Sequence, residues 1–119
     1  MARILLADDD AATRKLVQRA LALDGHDVIV TQDGAEALEK LEGPARIELL
    51  ISDIQMPGVD GIELAEKGMK ASPRLRVILM SGFAGELDRA EHLRSRVARV
   101  IAKPFTLDEM RAAVKGALG

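Results

Sequence analysis

Apolar and polar positions along the chain fall into two alternating regimes. Unbroken apolar runs occur at Arg3–Ala7, Asp27–Thr31, Glu48–Ser52, Arg76–Ser81 and Arg99–Ala102, with cores reading ILLA, VIV, LLIS, VILM and VIA. Such runs suit strands covered on both faces, as in a parallel sheet. Stretches with helical spacing lie between them. Ala11–Leu23 places Leu16, Val17, Ala20 and Leu21 on one face, and Gly25 follows as a C-terminal stop. Ala35–Leu41 predicts a short second helix, and Ile62–Ala71 a third, ending before Ser72-Pro73. A weakly amphipathic fourth spans about Gly85–Arg96, and Thr106–Leu118 predicts a fifth. Thr106 and Glu109 have the spacing of a capping box at its start. The expected fold is therefore α/β: five β-α units whose right-handed crossovers put helices on both faces of a five-stranded parallel sheet.

Composition narrows the function classes. The 119 residues suffice for one domain with a sizeable core, since 48% are apolar. No stretch is long and apolar enough to span a bilayer, and the N-terminus lacks a signal-peptide layout, so a soluble, cytoplasmic protein is expected. There is no cysteine, which removes disulfides, thiolate metal sites and thiol nucleophiles. A net charge of −2 argues against nucleic acid as a partner. Phe83 and Phe105 are the whole aromatic complement, too few for a base-stacking platform.

The chemistry gathers where an open α/β sheet keeps its ligands, outside the carboxyl ends of the strands. Asp8, Asp9 and Asp10 follow the first run, Asp53 the third, Ser81-Gly82 the fourth and Lys103-Pro104 the fifth. Each has a commoner explanation alone: helix caps, an Asx-turn, an ordinary serine, a solvated lysine. What joins them is that all occupy predicted carboxyl ends of strands in one sheet. Carboxylates held close repel one another unless a cation relieves them. Mg²⁺ takes oxygen ligands from one or two carboxylates plus phosphate oxygens. A carboxylate beside it can attack a phosphoryl group, and the transferred oxygens then need a cation, an ammonium and a hydroxyl around them.

These residues resemble the receiver domain of two-component response regulators, the CheY-like family. The matching pieces are ILLADDD at 4–10, LLISDIQMPGVDG at 49–61, LMSGF at 79–83 and VIAKPF at 100–105. The resemblance spans essentially the whole chain, 1–119, and implies a doubly wound sheet of order 2-1-3-4-5. It implies that Asp53 is the phosphoacceptor. Asp9, Asp53 and the backbone carbonyl of Gln55 would ligate Mg²⁺, with Asp8 acting through a bound water. Lys103 would pair with the phosphoryl group and Ser81 would be the switch hydroxyl, with small Gly82 leaving the entrance open. Lys103-Pro104 resembles the family's cis peptide. Asp10 falls one place beyond the acidic pair and is assigned to helix capping, Asp60 and Gly61 to the turn before the third helix. One departure stands out: the family's fifth strand often carries a Tyr or Phe where this chain has Val100. The usual coupling of hydroxyl to aromatic is therefore not expected.

The resemblance implies a histidine kinase or histidine phosphotransfer protein as phosphodonor and a downstream protein as partner. It also implies a chain that takes part in its own phosphorylation and slow dephosphorylation and is not otherwise an enzyme. MARILLADDD, LALDGHDV and SGFAGELDRA are similar to stand-alone receivers that regulate ClpXP proteolysis, which implies ClpX as a partner of the unphosphorylated form. A start at Met1 and an end just after the fifth helix match a stand-alone receiver; a fragment of a larger regulator is the alternative. A Mg²⁺-dependent phosphatase with an aspartyl nucleophile is another, but such enzymes carry a D-x-D motif after the first strand, whereas here the acids are adjacent. A flavodoxin-type reading lacks the aromatics a flavin requires. Arg89, Arg94, Arg96 and Arg99 cluster near the fourth helix and fifth strand as a candidate partner surface. Arg14, Lys15 and Gln18 lie beside the site on the first helix, a candidate donor-docking surface. His26 and His92 have no ligand-like spacing and receive no metal or catalytic role.

Overall fold

Strands with apolar residues on both faces need cover on both sides, and the computed structural model, which describes residues 2–119, provides it. The elements alternate in chain order: β1 (Arg3–Ala7), α1 (Ala11–Leu23), β2 (Asp27–Thr31), α2 (Gly34–Glu42), β3 (Leu49–Asp53), α3 (Gly61–Ala71), β4 (Arg76–Ser81), α4 (Ala84–Arg89), β5 (Arg99–Ala102) and α5 (Leu107–Leu118). The five strands pair in parallel in the order β2-β1-β3-β4-β5. Met1 lies outside the described residues.

Side chains alternate across the sheet and build two cores. Leu5, Leu50, Val77 and Leu79 meet residues of α2 and α3, such as Ala37, Leu64 and Ala65. Ile4, Leu6, Leu49, Ile51, Ile78 and Met80 meet α1 and α5 through Val17, Leu21, Met110 and Val114. The edge strands are less enclosed: Val28, Ile29 and Val30 of β2 and Val100 of β5 are only partly buried. Val100 packs against the core on the α2–α3 side.

Register places the site. Ala7 pairs with Ser52, Asp53 with Met80, and Ser81 with Ala102, so the carboxyl ends of β1, β3, β4 and β5 finish level. β3 ends one residue later than its apolar pattern predicts. The ladder runs on through Asp53 to Ile54, whose N–H donates to the Met80 carbonyl at 3.0 Å. Asp53 thus belongs to the strand and inherits its rigidity.

Helix boundaries follow their caps. Asp10, Asp33 and Asp60 each accept from a backbone N–H three residues on, and Thr106 and Glu109 complete the capping box of α5. The fourth helix departs from expectation. Instead of running to Arg96, α4 ends at Arg89 and passes into a 3₁₀ turn at Glu91–Leu93. The tighter turn still brings Ala90, Leu93 and Val97 into the core. What the helix lacks is a side-chain cap, Phe83 standing at its N-cap with none to offer.

Gly61 shows how closely the site is built. A Cβ there would lie 2.1 Å from the Asp53 carbonyl oxygen, so α3 can start against the end of β3 only with glycine. Gly61→Ala is predicted to cost about 2–4 kcal/mol of stability in denaturant unfolding, because both crowded partners are backbone. A loss below about 0.5 kcal/mol, the range of neutral surface changes, would contradict the constraint.

Candidate functional site

Four of the expected residues converge at the level strand ends. Carboxylate oxygens of Asp8, Asp9 and Asp53 lie within 4.8 Å of one another. Asp8 is fully buried and Asp53 nearly so, while Asp9 is exposed. Lys103 Nζ, carried by the turn after β5, lies 3.1 Å from Asp8 Oδ2 and 3.4 Å from Asp53 Oδ2. The Lys103–Pro104 peptide is cis, matching the resemblance. Asp8 is pinned further: its Oδ1 accepts the Asp10 N–H at 2.9 Å, and its carbonyl accepts from Arg14 Nη1 at 2.8 Å. Asp10 caps α1 through the Thr13 N–H and hydroxyl, and its carboxyl is held below its ordinary value mainly by the Thr13 hydroxyl.

The other expected residues sit on the same edge with different partners. The Ser81 hydroxyl donates to the Phe83 carbonyl at 3.1 Å rather than to a carboxylate. The Gln55 side chain accepts from Arg89 Nη1 at 3.1 Å, so Gln55 can face the acids only through its backbone. Arg89 also pairs with Asp60, the cap of α3. Sequence reasoning put Arg89 in an open basic cluster; its guanidinium instead ties α4 to the loop after β3. Arg94 pairs with Glu91, and Arg96 and Arg99 are exposed. His26 Nδ1 accepts the Ala2 N–H at 3.2 Å, and His92 Nε2 lies 3.3 Å from Glu66.

Sequence reasoning missed Glu86. It is 2% exposed, and its Oε1 accepts the Gly82 N–H at 2.7 Å. The available signal was an acid four residues after Gly82 in the first turn of a helix without a capping side chain.

Electrostatics follow from burial and crowding. The Asp53 carboxyl is pushed up to about 6, first by desolvation and then by the Asp8 charge, with Lys103 opposing and Glu86 adding to the rise. Burial works against the Lys103 ammonium, but the hydrogen bond and charge of Asp8 outweigh it and the group is raised overall. Two of the three acids share the one ammonium, and oxygens of all three stand close enough together to ligate one ion. An all-oxygen donor set with excess negative charge fits Mg²⁺.

Depressions lie at both ends of the strands. One of about 480 Å³ adjoins the site, lined by Asp10, Thr13, Leu16, Gly82, Lys103 and Phe105. Another of about 800 Å³ lies at the amino ends of the strands, far from Asp53, where Arg111 and Asp24 neutralise each other at 2.7 Å. Convergent chemistry rather than size identifies the site, and it lies at the carboxyl ends.

The fold and the acidic strand-end cluster define a receiver. The family profile of the response regulator receiver domain matches residues 4–115, and the chain belongs to that family, the receivers of two-component signal transduction. It is similar to the response regulator receiver protein CpdR of Brucella abortus, 38% identical over 110 residues, 92% of this chain and 91% of that one. The transcriptional regulatory protein TrcR of Mycobacterium tuberculosis is 35% identical over 98% of this chain, which spans 45% of TrcR. Among solved structures, a response regulator receiver protein from Sinorhizobium medicae superposes with a TM-score of 0.89 at 30% identity, covering 98% of this chain and 94% of that one. Response regulator TrrA from Thermotoga maritima, solved in complex with Mg²⁺ and BeF, superposes at 0.79 with 31% identity, covering 97% of each. No helix among the described residues is long and apolar enough to cross a membrane.

The raised Asp53 carboxyl has a thermodynamic consequence. Between the ordinary value of 3.8 and about 6, the folded chain binds more protons than the unfolded one. Stability contributed by this group is therefore present at low pH and is lost as pH rises through that window. A rise of this size corresponds to at most about 3 kcal/mol, and water at the rim screens part of it. Asp53→Asn, which leaves Lys103 its Asp8 partner, is predicted to stabilise the protein by about 1–2 kcal/mol near neutral pH in chelator. The gain should vanish near pH 4, and millimolar Mg²⁺ should stabilise the native chain more than the variant. Thermal unfolding at the two pH values checks this; no gain at neutral pH would contradict it.

Proposed function

We propose that Asp53 accepts a phosphoryl group from a phosphohistidine donor, a histidine kinase or histidine phosphotransfer protein, and that residues 1–119 act as one receiver domain. The observation that carries this reading is the Lys103 ammonium shared by Asp8 and Asp53 beside Asp9. Asp53 Oδ attacks phosphorus, the bond to the donor imidazole nitrogen breaks, and the electron pair returns to that nitrogen. The carboxylate must be ionised to attack, and Lys103 favours that form. Its ammonium is also placed to meet charge that develops on the phosphoryl oxygens. Ser81, released from the Phe83 carbonyl, supplies a neutral donor to the same group.

Asp9, Asp53 and the backbone carbonyl of Gln55 would hold Mg²⁺, with Asp8 as a further acidic group behind them. When bound, the ion offsets the clustered negative charge and favours approach of an anionic donor. Arg14 fixes the Asp8 backbone, and exposed Lys15 and Gln18 on α1 border the same edge as a docking surface for the donor. This reading places the chain in the cytoplasm with its donor.

For the downstream partner we read ClpX, bound by the unphosphorylated form. Support comes from the likeness to CpdR over nearly the full length of both chains. Capture of ClpX by the unphosphorylated protein, weakened by phosphorylation, is the expected result; no capture by either form would remove this assignment while leaving the receiver chemistry intact.

Asp53→Ala should lower phosphoryl incorporation from a phosphohistidine donor by at least about 100-fold, and Lys103→Ala by about 10²–10³-fold in rate. Radiolabel transfer measures both. Undiminished labelling of Asp53→Ala would refute the acceptor assignment.

A further inference from the structure

Glu86 is a buried carboxylate that the transfer chemistry does not use. It lies in the first turn of α4, and its Oε1 accepts the Gly82 N–H at 2.7 Å. Among the described residues no cationic side chain forms an ion pair with it. A buried carboxylate held by a backbone amide rather than a cation is costly to keep, so it yields readily to a competing charge. Gly82 directly follows Ser81 at the strand edge that pairs β4 with β5, level with Asp53 and Lys103. Its amide therefore lies on the edge where a phosphoryl group on Asp53 would sit, and Glu86 holds it. Glu86 also feels Asp53 directly, being among the charges that disfavour ionisation of that carboxyl.

Resting on the phosphoacceptor reading of Asp53, we propose that Glu86 is an internal anion occupying the Gly82 amide, and that phosphorylation expels it. A phosphoryl group adds about 1.5–2 negative charges and three strong acceptor oxygens. It repels Glu86 and offers Gly82 a stronger acceptor. The consequence falls on α4. That helix spans only Ala84–Arg89, has no capping side chain at Phe83, and has the Glu86 contact to Gly82 in its first turn. The Ser81 hydroxyl and the Glu86 N–H both donate to the Phe83 carbonyl at 3.1 Å, so movement of Ser81 and loss of Glu86 loosen the same turn. Arg89 holds the far end of α4 to Asp60 and Gln55 on the loop after β3. Both ends of α4 are thus clamped to loops of the site, and Phe83, 63% exposed at its start, moves with it. The readout that an inward-swinging aromatic at position 100 would provide is carried here by α4.

Beryllofluoride with Mg²⁺ serves as the phosphoryl probe, read by amide NMR on the full chain. In the native protein it should shift Gly82 and the amides of Ala84–Arg89 together. Glu86→Gln keeps an acceptor but removes the charge, and should bind the probe at least about 3-fold tighter; Glu86→Ala should also bind tighter and should speed exchange of the Gly82 amide without the probe by about 10-fold or more. Should Glu86→Ala fold poorly, Glu86→Gln alone decides. Probe binding with Gly82 and α4 unmoved, or unchanged affinity in Glu86→Gln, overturns the inference while leaving Asp53 in place. No probe binding to the native chain overturns both readings, and shifts that persist in Asp53→Ala overturn the acceptor reading on which the inference rests.

Discussion

The arrangement depends on one ammonium between two buried carboxylates. Lys103 Nζ reaches Asp8 and Asp53 from the far end of the chain, and without it neither buried carboxylate would have an ion-pair partner among the described residues. One cation against three acids leaves the cluster negative, and the raised Asp53 carboxyl records that imbalance. The same imbalance gives a divalent cation a reason to bind, while the ammonium is the group an added anion would pair with. Removing one member of such a cluster exposes the others to uncompensated charge, so these residues act as a unit.

The sheet exists, from the site's viewpoint, to hold strand ends level. Parallel pairing brings Asp53, Ser81 and the residues beside Lys103 to one edge, and the apolar run of each strand fixes its register. Backbone approaches complete the placement. Gly61 lets α3 begin against the Asp53 carbonyl, and Asp60 both caps that helix and receives Arg89. Stability and geometry at the site are therefore hard to separate: the contacts that fix Asp53 also close the core beneath it.

Much of this was legible in the sequence. Continuous Ile, Leu and Val runs gave away a sheet covered on both faces, and capping pairs such as Thr106–Glu109 marked helix starts, because these signals are local. The four strand-end residues were legible because the fold rule names the place where chemistry collects. The end of β3 was missed by one residue, since apolar pattern stops at Ser52 while the hydrogen-bond ladder continues. The length of α4 was missed because helical spacing of Ala90, Leu93 and Val97 persists through a 3₁₀ turn. Glu86 drew no reading, and Arg89 was read as part of a candidate partner surface. Their partners, Gly82, Gln55 and Asp60, are set by how α4 packs onto the sheet, which composition and periodicity do not encode.

Val100, packed into the α2–α3 core, leaves the surface readout to α4, a short helix joined to the site through a carboxylate and a guanidinium. All of that presupposes which of three adjacent carboxylates takes the phosphoryl group. Reaction with a phosphohistidine donor, borohydride reduction of the acyl phosphate and peptide mass spectrometry would locate it directly. Homoserine at position 53 alone is the predicted result; reduction at position 8 or 9, with Asp53 intact, would contradict the account.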